Sequence, residues 1–269
     1  MYQQLGDRLV QANALSRLGA IRRYTGDYPG AVPFLQRALR LYRELGHGNG
    51  EGAVLLSLGD AQRETGDLAG AIQNLEEALR LYAQLDEPLG RANTLSGLGE
   101  LRRLTGDHPG AARYLEQALQ LYLDLGNQLG QANVQVWLAS VRRTTDDLPG
   151  AAELLEAAIS TFRRIGGGGS EAWALNRYAA VISASGDPTR AEALYLEALS
   201  LARETGRSDD EAYALEGSGE CQLLRGETRA AVTQLGQALA IFQRLAMHPD
   251  SDRLQIRLAG LTKPEGQPR

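Results

Sequence analysis

The sequence predicts an all-α solenoid of six stacked helix-turn-helix units, and three observations carry that prediction. Glycine recurs at Gly26, Gly66, Gly106, Gly186 and Gly226, with Asp146 in the remaining slot. Alanine recurs at Ala38, Ala78, Ala118, Ala158, Ala198 and Ala238. Every step is 40 residues, without insertion or deletion, and nothing reads as a strand. Residues 11–50 and 91–130 agree at 22 of 40 positions, whereas 11–50 and 171–210 agree at 14, so the copies drift towards the C-terminus.

Residues 1–6 come first. Tyr2, Leu5 and Gly6 occupy the columns of Tyr42, Leu45 and Gly46, so this stretch is expected to be the remnant of a preceding repeat's second helix. That points to excision from a longer array, in preference to a first unit decayed to a stub. Residues 7–250 hold the six units. In the first, Ala14, Leu15, Leu18, Ile21 and Thr25 form one helical stripe expected to be buried. Gly26 ends that helix in the left-handed conformation, Asp27 caps the next, and Pro29 sits in its first turn, where a missing N–H costs nothing. The second helix runs through Leu35, Ala38, Leu39 and Tyr42 to Leu45, closed by Gly46. The capping signal returns at Asp67, Asp107 and Asp187, and Ser208 with Glu211 reads as a capping box. One such antiparallel pair cannot cover its own apolar face; stacked pairs can. Gly166 to Gly169, between units four and five, is expected to be a soft junction. Residues 251–262 read as a capping helix with Leu254, Leu258 and Leu261 inward and Arg253 and Arg257 outward, and 263–269 as a disordered tail.

Composition excludes several classes. The net charge of −5 disfavours nucleic acid as a partner, and no apolar run approaches the roughly 18–20 residues of a membrane span. With no signal-peptide pattern and one cysteine, the expectation is a soluble cytoplasmic protein without a disulfide framework. Histidines stand apart at His47, His108 and His248, so no metal site and no cofactor is expected. No phosphate-binding loop, nucleophile elbow or zinc motif occurs, and the only lysine is Lys263. Cys221 shares a column with Ile21, Leu101, Val141 and Val181, which makes it a small core residue rather than a nucleophile. No catalytic residue is assigned.

The string L-x-x-L-G-x-x-x-x-x-x-G-D-x-x-x-A followed by A-L-x-L-Y is carried by Leu15, Leu18, Gly19, Gly26, Asp27, Ala31, Ala38, Leu39, Leu41 and Tyr42. It resembles the tetratricopeptide repeat over roughly residues 1–250. The 40-residue period is similar to that of Pins-type and kinesin-light-chain arrays, and of the C-terminal arrays of bacterial STAND ATPases and antibiotic-regulator proteins. The resemblance implies a right-handed superhelix whose concave face holds a partner segment.

At 100° per residue, the face of each first helix opposite the stripe becomes that concave surface. One column holds Asn13, Asn93 and Asn133, whose amides suit a peptide backbone. Another holds Arg23, Arg63, Arg103 and Arg143, expected about 10 Å apart and suited to forked recognition of acidic groups. Ser96, Glu100 and Asn176 lie on the same face, with Trp173 and Tyr213 as an aromatic anchor. The arginines have an alternative use, pairing with Asp60 and Glu100 nearby. The expected function is a non-enzymatic protein- or peptide-binding scaffold, the sensor or regulatory array of a larger bacterial signalling or transcription-regulatory protein. Its partner is a protein or peptide, with acidic side chains, or a regulatory domain of the parent chain. The alternative is a receptor for a small ligand or signalling peptide, with a pocket near the fourth to sixth repeats. End-to-end self-association through apolar residues such as Leu5 is a further expectation.

Overall fold

A computed structural model of the chain describes residues 2–261, with side chains from residue 6 onward. The expected tail at 263–269 and the side chains of Tyr2 and Leu5 lie outside the described residues. Among the described residues the chain is helical throughout, with no strand. The helices are α1 (Tyr2–Tyr24), α2 (Tyr28–Leu45), α3 (Gly48–Glu64), α4 (Leu68–Gln84), α5 (Pro88–Leu104), α6 (His108–Asp124) and α7 (Gln128–Thr144). They continue as α8 (Leu148–Ile165), α9 (Gly168–Ala184), α10 (Pro188–Thr205), α11 (Ser208–Leu224), α12 (Thr228–Arg244) and α13 (His248–Leu261).

Local chemistry sets the boundaries. The carboxylates of Asp27, Asp67, Asp107, Asp147 and Asp187 each accept from the backbone N–H three residues on, satisfying one of the four donors a helix start leaves open. Between units the same job falls to His47, whose Nδ1 accepts from Gly50, and to Asn127, which accepts from Gly130. The left-handed closing position is glycine at Gly46, Gly126, Gly166 and Gly206, but Asp86 and Ala246 hold it at φ 53° and 54°. Ser208 does not cap α11. Arg207 is the N-cap and makes no side-chain cap bond, while the Glu211 carboxylate is taken by Arg203 at 2.8 Å. At the four-glycine junction Gly166 closes α8, and Gly168 and Gly169 already lie in α9, which has no side-chain cap.

The chain forms two compact units, residues 1–137 and 138–269, with the division inside α7. In the first, α1 to α6 pack each on the next, and α1, α3 and α5 lie side by side. In the second, α8 to α13 pack in order, with α9 beside α11. Leu35, Leu75 and Leu115 in the first unit and Leu155 and Leu235 in the second are fully buried, each worth about 1.5–3 kcal/mol. Within a pair the helices approach closely because the leucine faces a glycine: a Cβ on Gly99 would stand 2.5 Å from Leu115 Cγ.

Two expectations about α1 change. It runs unbroken from Tyr2 to Tyr24, so the columns shared with Tyr42 to Gly46 carry no turn at Gly6. Its buried stripe is Ala12, Leu15 and Gly19, whereas Ala14 is exposed, Leu18 is 46% exposed and Ile21 58%. In α3 and α5 the same three columns hold Val54, Leu58, Ala61 and Thr94, Leu98, Leu101, all buried. The reason is position. α3 packs on α2 and α5 on α4, but no described helix precedes α1.

Candidate partner-binding site

In the first unit the asparagine and arginine columns are largely engaged by the protein itself. The Tyr42 hydroxyl donates to Asn13 Oδ1 at 2.7 Å, and the Tyr122 hydroxyl donates to Asn93 Oδ1 at 2.6 Å. Each amide is thereby oriented, and its N–H₂ donates to no described residue. Asn133 is half-buried, as is Ser96. Arg23 pairs with Asp60 at 3.1 Å, and Arg63 pairs with Glu100 and with Glu64 at 2.7 Å. Burial pushes the Asp60 and Glu100 carboxyls upward, against the pull of Arg23 on one and of Arg63 and Arg103 on the other. The Arg103 guanidinium lies over the Trp137 ring, 5.5 Å from its centroid. The Arg23–Asp60 and Arg63–Glu100 pairs each join an arginine to the acid 37 residues on.

The pattern then runs out of acids. The equivalent of Asp60 and Glu100 becomes Ser140 and then Ala180. In the second unit Arg143, 37 residues before Ala180, is exposed and makes no ion pair with any described residue. It lines a cavity of about 430 Å³ together with Trp173, Asn176, Arg177, Tyr195, Asp210, Tyr213, Glu216, Glu220 and Arg253. α9 supplies Trp173, Asn176 and Arg177; α11 supplies Asp210, Tyr213, Glu216 and Glu220. Gly217 lets α11 approach α10, since a Cβ there would meet the Tyr195 ring at 2.2 Å.

Most charge in this pocket is compensated. Arg253 holds Glu216 and, at 3.0 Å, Asp250; Arg257 holds Glu220 at 2.9 Å. Arg207 lies 3.0 Å from Asp210. Arg177, like Arg143, has no ion pair among the described residues and sits over the Tyr213 ring at 6.0 Å. Tyr213 also packs edge-on against Phe242, at 5.2 Å between centroids, and its hydroxyl donates to Asp250 at 3.4 Å. Burial pushes the Tyr213 phenol up to about 12. Asp210 is 2% exposed, and desolvation, with Asp209 adding to it, raises its carboxyl to about 6. Asn176 is 6% exposed; its Nδ2 donates to the Asp210 carbonyl at 2.9 Å, while its buried Oδ1 accepts from nothing.

Of the residues singled out from sequence, Arg143, Trp173, Asn176 and Tyr213 share this pocket. Asn13, Asn93, Asn133, Arg23, Arg63, Arg103, Ser96 and Glu100 all belong to the other unit. Sequence reasoning missed Arg177, Tyr195 and Asp210. A signal for Asp210 is present in the sequence, since it stands where Gly50, Gly90 and Gly130 stand; Arg177 shares its column with Arg17, Ser57, Gly97, Trp137 and Gly217 and carries none. The chemistry available is that of recognition. The pocket offers two unpaired guanidinium groups, aromatic walls, one orphan amide oxygen and one buried carboxylate. Among the described residues no group of three or more His, Cys, Asp or Glu side chains is placed to hold a metal ion, and no helix is long and apolar enough to cross a membrane.

Family comparison matches the tetratricopeptide repeat at residues 10–84, 130–204 and 170–244, with a second tetratricopeptide pattern at 94–129. Among curated proteins no sequence matches. Solved structures are similar in fold. BtubC from P. vanneervenii is 21% identical with a TM-score of 0.63, covering 91% of this chain and 92% of its own. A plasmid-encoded Rap conjugation gene regulator in complex with a Phr peptide is 16% identical with a TM-score of 0.75, covering 99% of this chain and 72% of its own. A signal transduction ATPase with numerous domains and a tetratricopeptide repeat sensor, from Pyrococcus horikoshii, is 15% identical with a TM-score of 0.70; the match covers 93% of this chain and 39% of that one.

Proposed function

We propose, from the premise that the chain belongs to the tetratricopeptide-repeat family, that it is a binding scaffold for a protein or peptide segment anchored in the pocket of its second unit. It works by binding rather than catalysis. A repeat fold hosts many functions, so the reading rests on the site. The observation that carries it is the pair Arg143 and Arg177, two guanidinium groups without ion pairs in an aromatic-walled cavity, where Arg23 and Arg63 of the other unit are already paired. A guanidinium fork recognises a carboxylate with two parallel hydrogen bonds, so the segment carries an acidic group. The peptide-bound Rap regulator, similar over nearly the whole chain, supports a peptide as the occupant. We place the scaffold in the cytoplasm, as the sensor or regulatory region of a larger bacterial signalling or transcription-regulatory protein. The ATPase with a tetratricopeptide sensor supports that placement. In the parent, a regulatory domain of the same chain competes for the site. Switching of this kind requires the partner to bind two states with different affinity.

A second reading, a receptor for a small ligand, is favoured by the cavity's volume of about 430 Å³, inside the usual range of about 300–1,000 Å³ for such sites. Peptides bearing glutamate, titrated calorimetrically, discriminate. Replacing Arg143 and Arg177 together by glutamine is expected to weaken binding about 10- to 100-fold, the value of charge-assisted hydrogen bonds. Unchanged affinity would remove the pocket from the reading. The apolar end of α1, with Leu18 and Ile21 exposed, supports self-association of two copies through that end. Sedimentation velocity tests it: Leu18→Glu is expected to abolish any concentration-dependent dimer, and a wild-type chain that stays monomeric at high concentration contradicts it.

A further inference from the structure

The same pocket has a second polar feature that the acid-binding arginines leave unexplained. At four successive unit junctions the column of Asp210 is occupied by Gly50, Gly90, Gly130 and Ser170, residues with no charge. At the junction between α10 and α11 the position is a carboxylate, and it is 98% buried, being 2% exposed. The second-helix aromatic column, Tyr42, Tyr82, Tyr122 and Phe162, becomes Ala202 at this junction. Of the two, Asp210 lines the pocket. Arg207 does not exhaust the carboxylate: its Nε and Nη2 contacts, at 3.1 and 3.0 Å, both fall on Oδ2. Oδ1 accepts no hydrogen bond from any described residue, although a carboxylate has about four acceptor sites. Beside it, Asn176 Oδ1 is buried and without a partner, held there because its Nδ2 is fixed on the Asp210 carbonyl.

A buried acceptor left without a donor costs about 1–3 kcal/mol, more when charged. Asn176 Oδ1 is such an acceptor; Asp210 Oδ1, on the adjoining helix and at the same cavity, takes no hydrogen bond from a described residue, so the two together offer acceptors for N–H groups that the protein does not supply. We infer that Asn176 and Asp210 form a subsite for a basic group of the bound segment, a guanidinium or an ammonium, whose N–H donors reach both oxygens. This rests on the peptide-binding reading and sharpens it: the segment carries an acidic group for Arg143 and Arg177 and a basic group for Asn176 and Asp210. Tyr213 and Trp173 line the same cavity and add aromatic faces, to which cations are attracted. The charged groups around the Asp210 carboxylate are Asp209 and Arg207 beside it in the chain and Arg177 from α9. Asp209 reinforces the attraction for a cation, while Arg207, on Oδ2 with a side chain 45% exposed, and Arg177 offset part of it.

Three blocked probes test this on the full chain by nitrogen-15 NMR titration: acetyl-Gly-Arg-Gly-amide, acetyl-Gly-Glu-Gly-amide and acetyl-Arg-Gly-Glu-amide. The arginine probe is expected to shift amides at the start of α11 and in the middle of α9. Asp210→Asn and Asn176→Ala are each expected to weaken it about ten-fold while leaving the glutamate probe unchanged. Lowering the pH from 7.5 to 5 protonates Asp210 and is expected to weaken the arginine probe, not the glutamate probe. The probe carrying both groups should bind tighter than either. An arginine probe that binds both variants as it binds the wild type, or fails to bind while the glutamate probe does, overturns the basic subsite and leaves the peptide reading standing. Failure of all three probes overturns both.

Discussion

Tyr42 and Tyr122 occupy one column, and each spends its hydroxyl on an asparagine 29 residues earlier, Asn13 or Asn93. Tyr82 is the control that the repeat provides: the matching position is Ala53, and no hydrogen bond from its hydroxyl exists among the described residues. Tyr122→Phe is therefore expected to cost about 0.5–1.5 kcal/mol in chemical unfolding, and Tyr82→Phe less than about 0.5. Equal losses would mean that the asparagine bond contributes nothing. Asp210 gives a test of opposite sign. Its carboxyl is raised from 3.8 to about 6 in the folded chain, chiefly by desolvation, so the fold takes up a proton that the unfolded chain releases. Stability from this group is full below about pH 4 and is lost as pH rises through about 6. Asp210→Asn should raise the melting temperature by about 2–4 °C at pH 7.5 and leave it unchanged at pH 3.5. A destabilised variant at pH 7.5 would show that the Arg207 pair outweighs the burial.

At the scale of helices, much of the architecture was legible because each boundary is a local contest that the named residues decide. Asp27, Asp67, Asp107 and Asp187 cap where sequence places them, and glycine closes the positive-φ position everywhere but at Asp86, Asp146 and Ala246 among the described residues. The misreadings are equally physical. Ser208 and Glu211 have capping-box spacing, but Gly206 closes α10 in the register of Gly46 and Gly166, which makes Arg207 the cap and Ser208 the first helical residue. The α1 stripe fails at Leu18 and Ile21 because periodicity reports which face is apolar, not whether a neighbour covers it. The pocket was half legible: Trp173, Asn176 and Tyr213 stand out by column, while Asp210 follows Gly50, Gly90, Gly130 and Ser170 in its column and Arg177 sits in a column with no constant residue type. Ala246 holds the left-handed position at φ 54°, where a Cβ costs about 1 kcal/mol or more. Ala246→Gly should therefore stabilise by roughly 0.5–1 kcal/mol, read as a shift in denaturant midpoint. A destabilised glycine variant would contradict the assignment of strain to that turn.

Across the molecule, the same residue column has different worth at different heights of a stack. Ile21 and Leu101 are equivalent in sequence, yet one is 58% exposed and the other 1%. Leu101→Ala should cost about 2–5 kcal/mol, Ile21→Ala under about 0.5. Similar losses would mean that something covers α1 in solution. The repeat also separates structural from recognition residues without any homologue. Columns that keep their residue type, such as Ala38, Ala78 and Ala118, hold the stack together, and abrupt departures such as Asp210 gather at the pocket. The arginine column illustrates both: Arg23 and Arg63 are spent on Asp60 and Glu100, and Arg143 is released when the acids give way to Ser140 and Ala180.

Selection of a random peptide library on the intact chain, run in parallel on a variant carrying Arg143→Gln, Arg177→Gln and Asn176→Ala, addresses the binding role without presupposing a ligand. The expected result is a set of sequences enriched on the wild type, bearing an acidic residue, and absent from the variant. Enrichment of the same sequences on both proteins would place recognition outside the second-unit pocket and contradict the function proposed for it.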